Sequence, residues 1–231
     1  MQGDLSMRLT TGYEITTAAT NAVNALITAV LIVRVLHLNG PKIRRQVWSV
    51  SFILFFVVCI LGTIVHGIVL PESTRSLLWD ILYIAMAFMI ASFAVSVRYE
   101  IHGPSAVRKT ALVCVFLSIV FLAVRMVLKK TAVPGFLTFT VYSGGILLYL
   151  IIKILSARKA KPHLTLLLCA IFLLITGTIL QTVRQIRFHL IWDFNYNSVY
   201  HLFTLFFVLL TYVFVQRADR LDTAAETQLD A

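Results

Sequence analysis

Seven apolar segments constrain the fold of this chain more than any other feature of its sequence. A helix needs about 20 apolar residues to cross the hydrocarbon core of a bilayer. The segments cover residues 16–36, 47–70, 77–97, 109–128, 134–155, 163–184 and 196–216. Hydrophobic residues make up 59% of the chain and mean hydropathy is +0.90, more than one soluble core can bury. The sequence therefore predicts an all-α, polytopic membrane protein, a seven-transmembrane-helix bundle.

The segments leave little of the chain for a second domain. The loops between them are short, so residues 1–216 are predicted to form one transmembrane domain. Residues 217–231 are polar, and we expect them to form a frayed cytoplasmic tail. The sequence shows no convincing internal repeat, which weighs against a transporter built from inverted repeats.

The distribution of basic residues predicts the orientation in the membrane. Of the 20 Lys and Arg residues, 13 belong to one set of loops and segment ends and 7 to the other. The positive-inside rule then places the N-terminus outside and the C-terminus in the cytoplasm. The net charge of +10 comes from short basic runs between apolar segments. That pattern is typical of cytoplasmic loops, so we expect no nucleic-acid partner.

Polar side chains inside the segments gather in one leaflet. With this topology, His66 lies near the outer end of the second segment and Asp80 near the outer start of the third. Asn197 and His201 occupy the outer turns of the seventh segment. Polar residues predicted at a similar depth are Glu14, Asn21, Thr63, Gln181 and Arg184. An ionisable residue inside a membrane span is a functional-site hypothesis by default.

Each of these residues also has a structural explanation. His66 could serve hydrogen-bonded packing alone, and Asp80 could stand in a first helical turn that the helix dipole favours. Arg184 could extend to the membrane interface. The combination is more informative than its parts, because two histidines and a carboxylate lie on three helices at one depth. Asn197 and His201, four residues apart, also share a helix face, which lipid cannot satisfy.

At these positions the chain resembles the alkaline ceramidase and adiponectin receptor (CREST) superfamily of seven-helix membrane proteins. The superfamily places Ser-x-x-x-His on the second helix, Asp early in the third and His-x-x-x-His on the seventh. His66, Asp80 and His201 match three of these positions. Glu14, Asn21 and Asn24 loosely resemble the Glu and Asn pattern of the superfamily's first helix. The chain is most similar to uncharacterised bacterial members, which implies a location in the bacterial inner membrane.

The resemblance implies zinc chemistry on a membrane lipid. In the superfamily, histidines hold a zinc ion and the aspartate orients the zinc-bound water for attack on a lipid amide. Here the ligands would be His66, His201 and Asp80, and Asp80 with Thr63 would be the catalytic residues. The chain departs from the pattern at Gly62, which replaces the serine. It departs again at Asn197, which replaces the first histidine of the last motif.

Two functions follow from this reading, and both stay open at the level of sequence. The first is a zinc-dependent hydrolase of a lipid amide or ester. The second is a metal-free relative that binds a lipid or small ligand as a receptor or accessory membrane protein. The predicted ligand-binding residues are Asn197, Gln181, Arg184, Asn21 and Glu14. A retinal protein of the usual kind is excluded, because the seventh segment contains no lysine for a Schiff base.

Overall fold

The apolar segments fold as helices. A computed structural model of the chain describes residues 8–129, 131 and 134–229, with the backbone alone described for 225–229. In this range the helices are α1 (Tyr13–Leu36), α2 (Lys42–Gly67), α3 (Glu72–His102), α4 (Ser105–Leu128), α5 (Gly135–Ala157), α6 (Thr165–Thr182) and α7 (Tyr196–Leu229). All seven are long and apolar enough to cross a membrane. The prediction of an all-α bundle of seven helices is therefore confirmed, and the chain is an integral membrane protein.

Proline marks the start of four helices. Pro41, Pro71, Pro104 and Pro134 directly precede α2, α3, α4 and α5. Proline fits at a helix start because the first backbone N–H groups have no partner within the helix. Gly103 ends α3 with φ of 75°, a left-handed conformation that glycine adopts without steric cost. The helices are consequently joined by short connections.

Two small elements flank α6. A single 3₁₀ turn, Pro162–Leu164, leads into its start. After its end, β1 (Arg187–His189) and β2 (Asp193–Asn195) form an antiparallel hairpin. The base of the hairpin is held by Asn195, whose side-chain oxygen accepts hydrogen bonds from the backbone N–H groups of Asn197 and Ser198, both at 3.0 Å. These hydrogen bonds join the end of the hairpin to the first turn of α7.

Aromatic side chains fill the centre of the bundle. α1 packs chiefly on α2 and α6 on α7, and α2 packs on α3. Trp48, Phe93 and Phe214 are almost fully buried, and the Trp48 ring lies 5.9 Å from each of the two phenylalanine rings. The outer surface carries exposed apolar residues such as Phe116 and Met126. An apolar exterior of this kind is what a lipid-facing surface requires.

A buried ion pair joins α2 and α3 at the end of the bundle that is predicted to be cytoplasmic. Arg44 Nε and Nη2 donate to the two Glu100 carboxylate oxygens, at 2.9 and 3.0 Å. The indole N–H of Trp48 donates to Glu100 Oε1 at 2.9 Å. Because the guanidinium and the carboxylate meet in a bidentate geometry, the pair satisfies charges that would be costly to bury alone.

The polar residues after the seventh segment are ordered as part of α7. The helix runs to Leu229, so the expectation of a frayed tail is wrong for the described residues. Asp219 is 5% exposed, and its carboxylate accepts hydrogen bonds from the backbone N–H groups of Gly40 at 2.9 Å and Asn39 at 3.2 Å. Asp222 lies 2.8 Å from Arg44 Nη1. These contacts tie the last helix to the α1–α2 connection.

Candidate functional site

A cavity of about 460 Å³ lies between α1, α2, α3, α5, α6 and α7. Its apolar lining includes Phe55, Cys59, Met86, Phe139, Leu174 and Phe207. The polar residues of the lining include His66, His201, Asn21, Asn197, Gln181 and Arg184. The apolar walls thus lead to a group of polar side chains at the end that is predicted to face the outer leaflet.

His66 is fixed by a carboxylate from α1. Its Nδ1 lies 2.7 Å from Glu14 Oε2, and the residue is 8% exposed. On another side the ring meets Trp79 edge to face, with ring centroids 5.5 Å apart. Thr10 donates its hydroxyl to the His66 carbonyl at 2.6 Å. These contacts hold His66 in one orientation at the end of α2.

His201 is held by two asparagines of α1. Asn21 Nδ2 donates to His201 Nε2 at 2.9 Å and also to the carbonyl of Thr17 at 3.2 Å. Asn24 Nδ2 donates to the His201 carbonyl at 2.9 Å and to Thr204 Oγ1 at 3.0 Å. Because an amide nitrogen only donates, His201 Nε2 is the acceptor in its pair. The two imidazole rings, of His66 and His201, lie 6.5 Å apart between centroids.

A second amide pair bridges α6 and α7. Gln181 Nε2 donates to Asn197 Oδ1 at 2.9 Å, and both side chains line the cavity. Arg184 also lines the cavity and forms no ion pair with any described residue. The structure therefore brings six of the predicted ligand-binding and metal-binding residues to the cavity lining, namely Asn21, His66, Gln181, Arg184, Asn197 and His201. Glu14 contacts this group through His66.

The structure does not bring Asp80 to the two histidines. Its carboxylate accepts a hydrogen bond from Arg125 Nη2 of α4 at 3.2 Å and another from Lys129, the residue that directly follows α4. The Arg125 guanidinium in turn lies 3.8 Å from the centre of the Tyr83 ring. Two cations therefore hold Asp80 on the α4 side of α3, and it is not among the cavity-lining residues.

Thr63 is also absent from the cavity lining. It donates its hydroxyl to the carbonyl of Cys59, 2.9 Å away on its own helix. Its neighbour Gly62 does line the cavity. An added Cβ at Gly62 would lie 2.9 Å from Asn21 Oδ1, so the absence of a side chain here makes room for the amide that binds His201. Gly62 thus has a packing role.

The side chains of this site do not fit a catalytic zinc ion. Such an ion is usually held by three protein ligands. No three histidine, cysteine, aspartate or glutamate side chains of the described residues form a group of that kind. The carboxylate that meets His66 is Glu14, and the Nε2 lone pair of His201 is occupied by an amide N–H. The polar side chains of the site instead pair with one another, as His66 with Glu14, His201 with Asn21 and Gln181 with Asn197.

One family model matches the chain, over residues 16–220, and its description is a family of unknown function (DUF6962). The match spans parts of all seven helices. The chain belongs to the DUF6962 family. No curated protein and no solved structure matches it. The matched range of this DUF6962 chain ends beyond Asp219, so it includes the part of α7 that is tied to the α1–α2 connection.

Three features of the candidate site in this chain were not predicted from the sequence. They are the bridge from Asn24 to α7, the edge contact between Trp79 and His66, and the packing role of Gly62. The spacing of Asn21 and Asn24 on one helix face carried a signal for the first. The other two depend on contacts between helices, which the spacing of residues along one segment does not report.

Proposed function

We propose that this chain binds a lipid or another small apolar ligand in the cavity, without a metal, as a receptor or accessory membrane protein. The observation that carries the proposal is the cavity of about 460 Å³, whose apolar walls end at a group of fixed polar side chains. Pockets for small molecules have volumes of roughly 300–1,000 Å³, with mainly apolar walls and a few placed polar groups.

The two parts of the lining suit the two parts of an amphipathic ligand. An apolar chain would pack against side chains such as Met86, Leu174 and Phe207. The polar end would face Asn197 and Gln181, which already hydrogen-bond each other across α6 and α7. Because these side chains are ordered before the ligand arrives, binding costs little of their conformational entropy.

The metal-dependent hydrolase stays a prediction of the resemblance. It would need a third ligand beside His66 and His201, and Asp80 is paired with Arg125 and Lys129 instead. The ligand-binding proposal needs no such rearrangement, since it uses the hydrogen-bonded pairs as they stand. For this reason we place ligand binding first.

A variant that fills the cavity tests the proposal. Met86→Trp would place a larger side chain in the lining, and Ile84→Trp on the same helix is the control, since Ile84 is 43% exposed and does not line the cavity. The wild type and both variants are purified in mild detergent, and the molecules that copurify are extracted and identified by mass spectrometry. Thermal unfolding confirms that all three are folded.

We expect an apolar molecule at close to one per chain in the wild type and in Ile84→Trp, reduced several-fold in Met86→Trp. Identical extracts from all three folded proteins would contradict the proposal, because the molecules would then come from the detergent–lipid belt around the bundle.

A further inference from the structure

Arg98 on α3 carries a guanidinium group that lacks partners. Its Nε and Nη1 atoms are buried and have no hydrogen-bond partner among the described residues. Its Cζ lies 5.8 Å from the centre of the Tyr149 ring on α5. A buried N–H without a partner costs free energy, and more so when it belongs to a charged group. A partner for this guanidinium is therefore missing from the described chain.

A second cation shares the same aromatic ring. Lys153, one turn after Tyr149 on α5, places its Nζ 5.7 Å from the centre of that ring. Neither Arg98 nor Lys153 forms an ion pair with any residue that the structure describes. Glu100 lies two residues from Arg98, but its carboxylate is already used by Arg44 and Trp48.

Further positive charge surrounds this pair. Arg98, Lys153 and Lys161 all interact electrostatically with His102, the last residue of α3. The Lys161 ammonium donates to the carbonyl oxygens of Glu100 at 2.7 Å and Ile101 at 3.3 Å, which leaves its charge uncompensated. The ends of α3 and α5 therefore combine several cations with no carboxylate that is free to neutralise them in the described chain.

We propose that Arg98 and Lys153, whose Cζ and Nζ atoms lie 5.8 and 5.7 Å from the centre of the Tyr149 ring, form a binding site for a phosphate group. A guanidinium matches the geometry of phosphate oxygens, and an ammonium adds a second charge. Basic clefts between transmembrane helices at the cytoplasmic side bind anionic lipid head groups. Tyr149 and Ile152 are 43% and 54% exposed on the outer surface of α5, so the phosphate of a lipid has access from the bilayer.

The site is separate from the cavity. None of Arg98, Tyr149 and Lys153 lines the cavity, and the cavity ends at the outer polar group while Arg98 lies near the other end of α3. Loss of ligand binding in the cavity would therefore leave this proposal unaffected, and the reverse also holds. The shared chemistry is a phosphate group, carried either by a phospholipid or by a free anion.

Native mass spectrometry of the full chain measures the binding directly. The protein is titrated with phosphatidylglycerol and, separately, with zwitterionic phosphatidylcholine, and a parallel thermal-shift assay uses inorganic phosphate. The variants are Arg98→Gln and Lys153→Gln. Arg108→Gln is the control, since Arg108 is an exposed cation on α4 with no contact to the site.

We expect phosphatidylglycerol to bind more tightly than phosphatidylcholine, with affinity about tenfold lower in Arg98→Gln and in Lys153→Gln and unchanged in Arg108→Gln. Stabilisation by inorganic phosphate that is lost in the same two variants would support the site and assign it to a free anion. Two results would overturn the proposal. One is equal binding of the two lipids together with no stabilisation by inorganic phosphate. The other is an unchanged affinity of Lys153→Gln for phosphatidylglycerol. Lys153→Gln decides the outcome if Arg98→Gln does not fold.

Discussion

At the scale of single residues, the site depends on α1 asparagines that hold a histidine of α7. Asn21 donates to the His201 imidazole and Asn24 to the His201 carbonyl, so side chain and backbone are fixed together. Gly62 on α2 leaves the space in which the Asn21 amide sits. The polar end of the cavity is therefore preorganised by three helices.

Gly62→Ala should disturb this arrangement. The new Cβ would lie 2.9 Å from Asn21 Oδ1 and 3.0 Å from its Cγ, and the amide cannot move away without losing His201. Overpacking of this kind costs about 1–3 kcal/mol of unfolding free energy. We expect a lower thermal unfolding midpoint and weaker retention of the cavity ligand.

Gly144→Ala is the matched control. A Cβ at Gly144 would meet nothing within 4 Å, and alanine in a helix interior is more stable than glycine by about 0.5–1 kcal/mol. Its unfolding midpoint should equal or exceed that of the wild type. If Gly62→Ala is as stable as Gly144→Ala, the close contact with Asn21 does not constrain the site.

The sequence predicted part of this residue-level arrangement. The direction of each segment places His66 and His201 at one depth, and the structure brings their rings within 6.5 Å. The same reasoning placed Asp80 beside them, yet Asp80 pairs with Arg125 and Lys129 at the end of α4. Position along a segment gives depth in the membrane. It does not give the rotation of a helix about its axis, which decides the neighbour that a side chain meets.

At the scale of elements, α7 extends beyond the membrane-spanning part that its apolar residues indicate. Hydropathy ends the seventh segment at residue 216, but the helix continues to Leu229. Polarity alone cannot separate a frayed tail from a helix that is anchored by its charges. Asp219 and Asp222 provide that anchor, through Gly40 and Arg44 respectively.

Asp219→Ala should therefore destabilise the bundle. It would leave the backbone N–H groups of Gly40 and Asn39 without their charged acceptor. A hydrogen bond to a charged group contributes about 1.5–3 kcal/mol to the free energy of unfolding. We expect a clear drop in the unfolding midpoint. Asp222→Ala is the comparison, since its side chain is 45% exposed and Arg44 would keep Glu100. Equal, negligible effects of both substitutions would mean that this part of α7 contributes nothing to stability.

At the scale of the whole molecule, the sequence predicted the fold well because the bilayer imposes one length and one polarity on every span. Seven helices were expected and seven are observed in the described chain. The cavity could not be predicted in this way. Its lining residues come from six helices, and its volume depends on how closely these helices approach one another.

The orientation of the molecule is a prediction from its basic residues. With 13 of 20 Lys and Arg residues on one side, the C-terminus should face the cytoplasm. A green fluorescent protein fused after Ala231 should fluoresce in a bacterial host, and an alkaline phosphatase fused there should be inactive. The opposite pair of results would reverse the orientation, and would place the proposed phosphate site in the outer leaflet.

The central claim is that the cavity holds an apolar ligand whose polar end meets a hydrogen-bonded group of side chains. A high-resolution density map of the wild type in lipid nanodiscs tests it most directly. We predict elongated density along Met86 and Phe207 that ends beside Asn197 and Gln181. A cavity that contains solvent alone, or a compact metal peak bonded to both His66 and His201, would contradict the account.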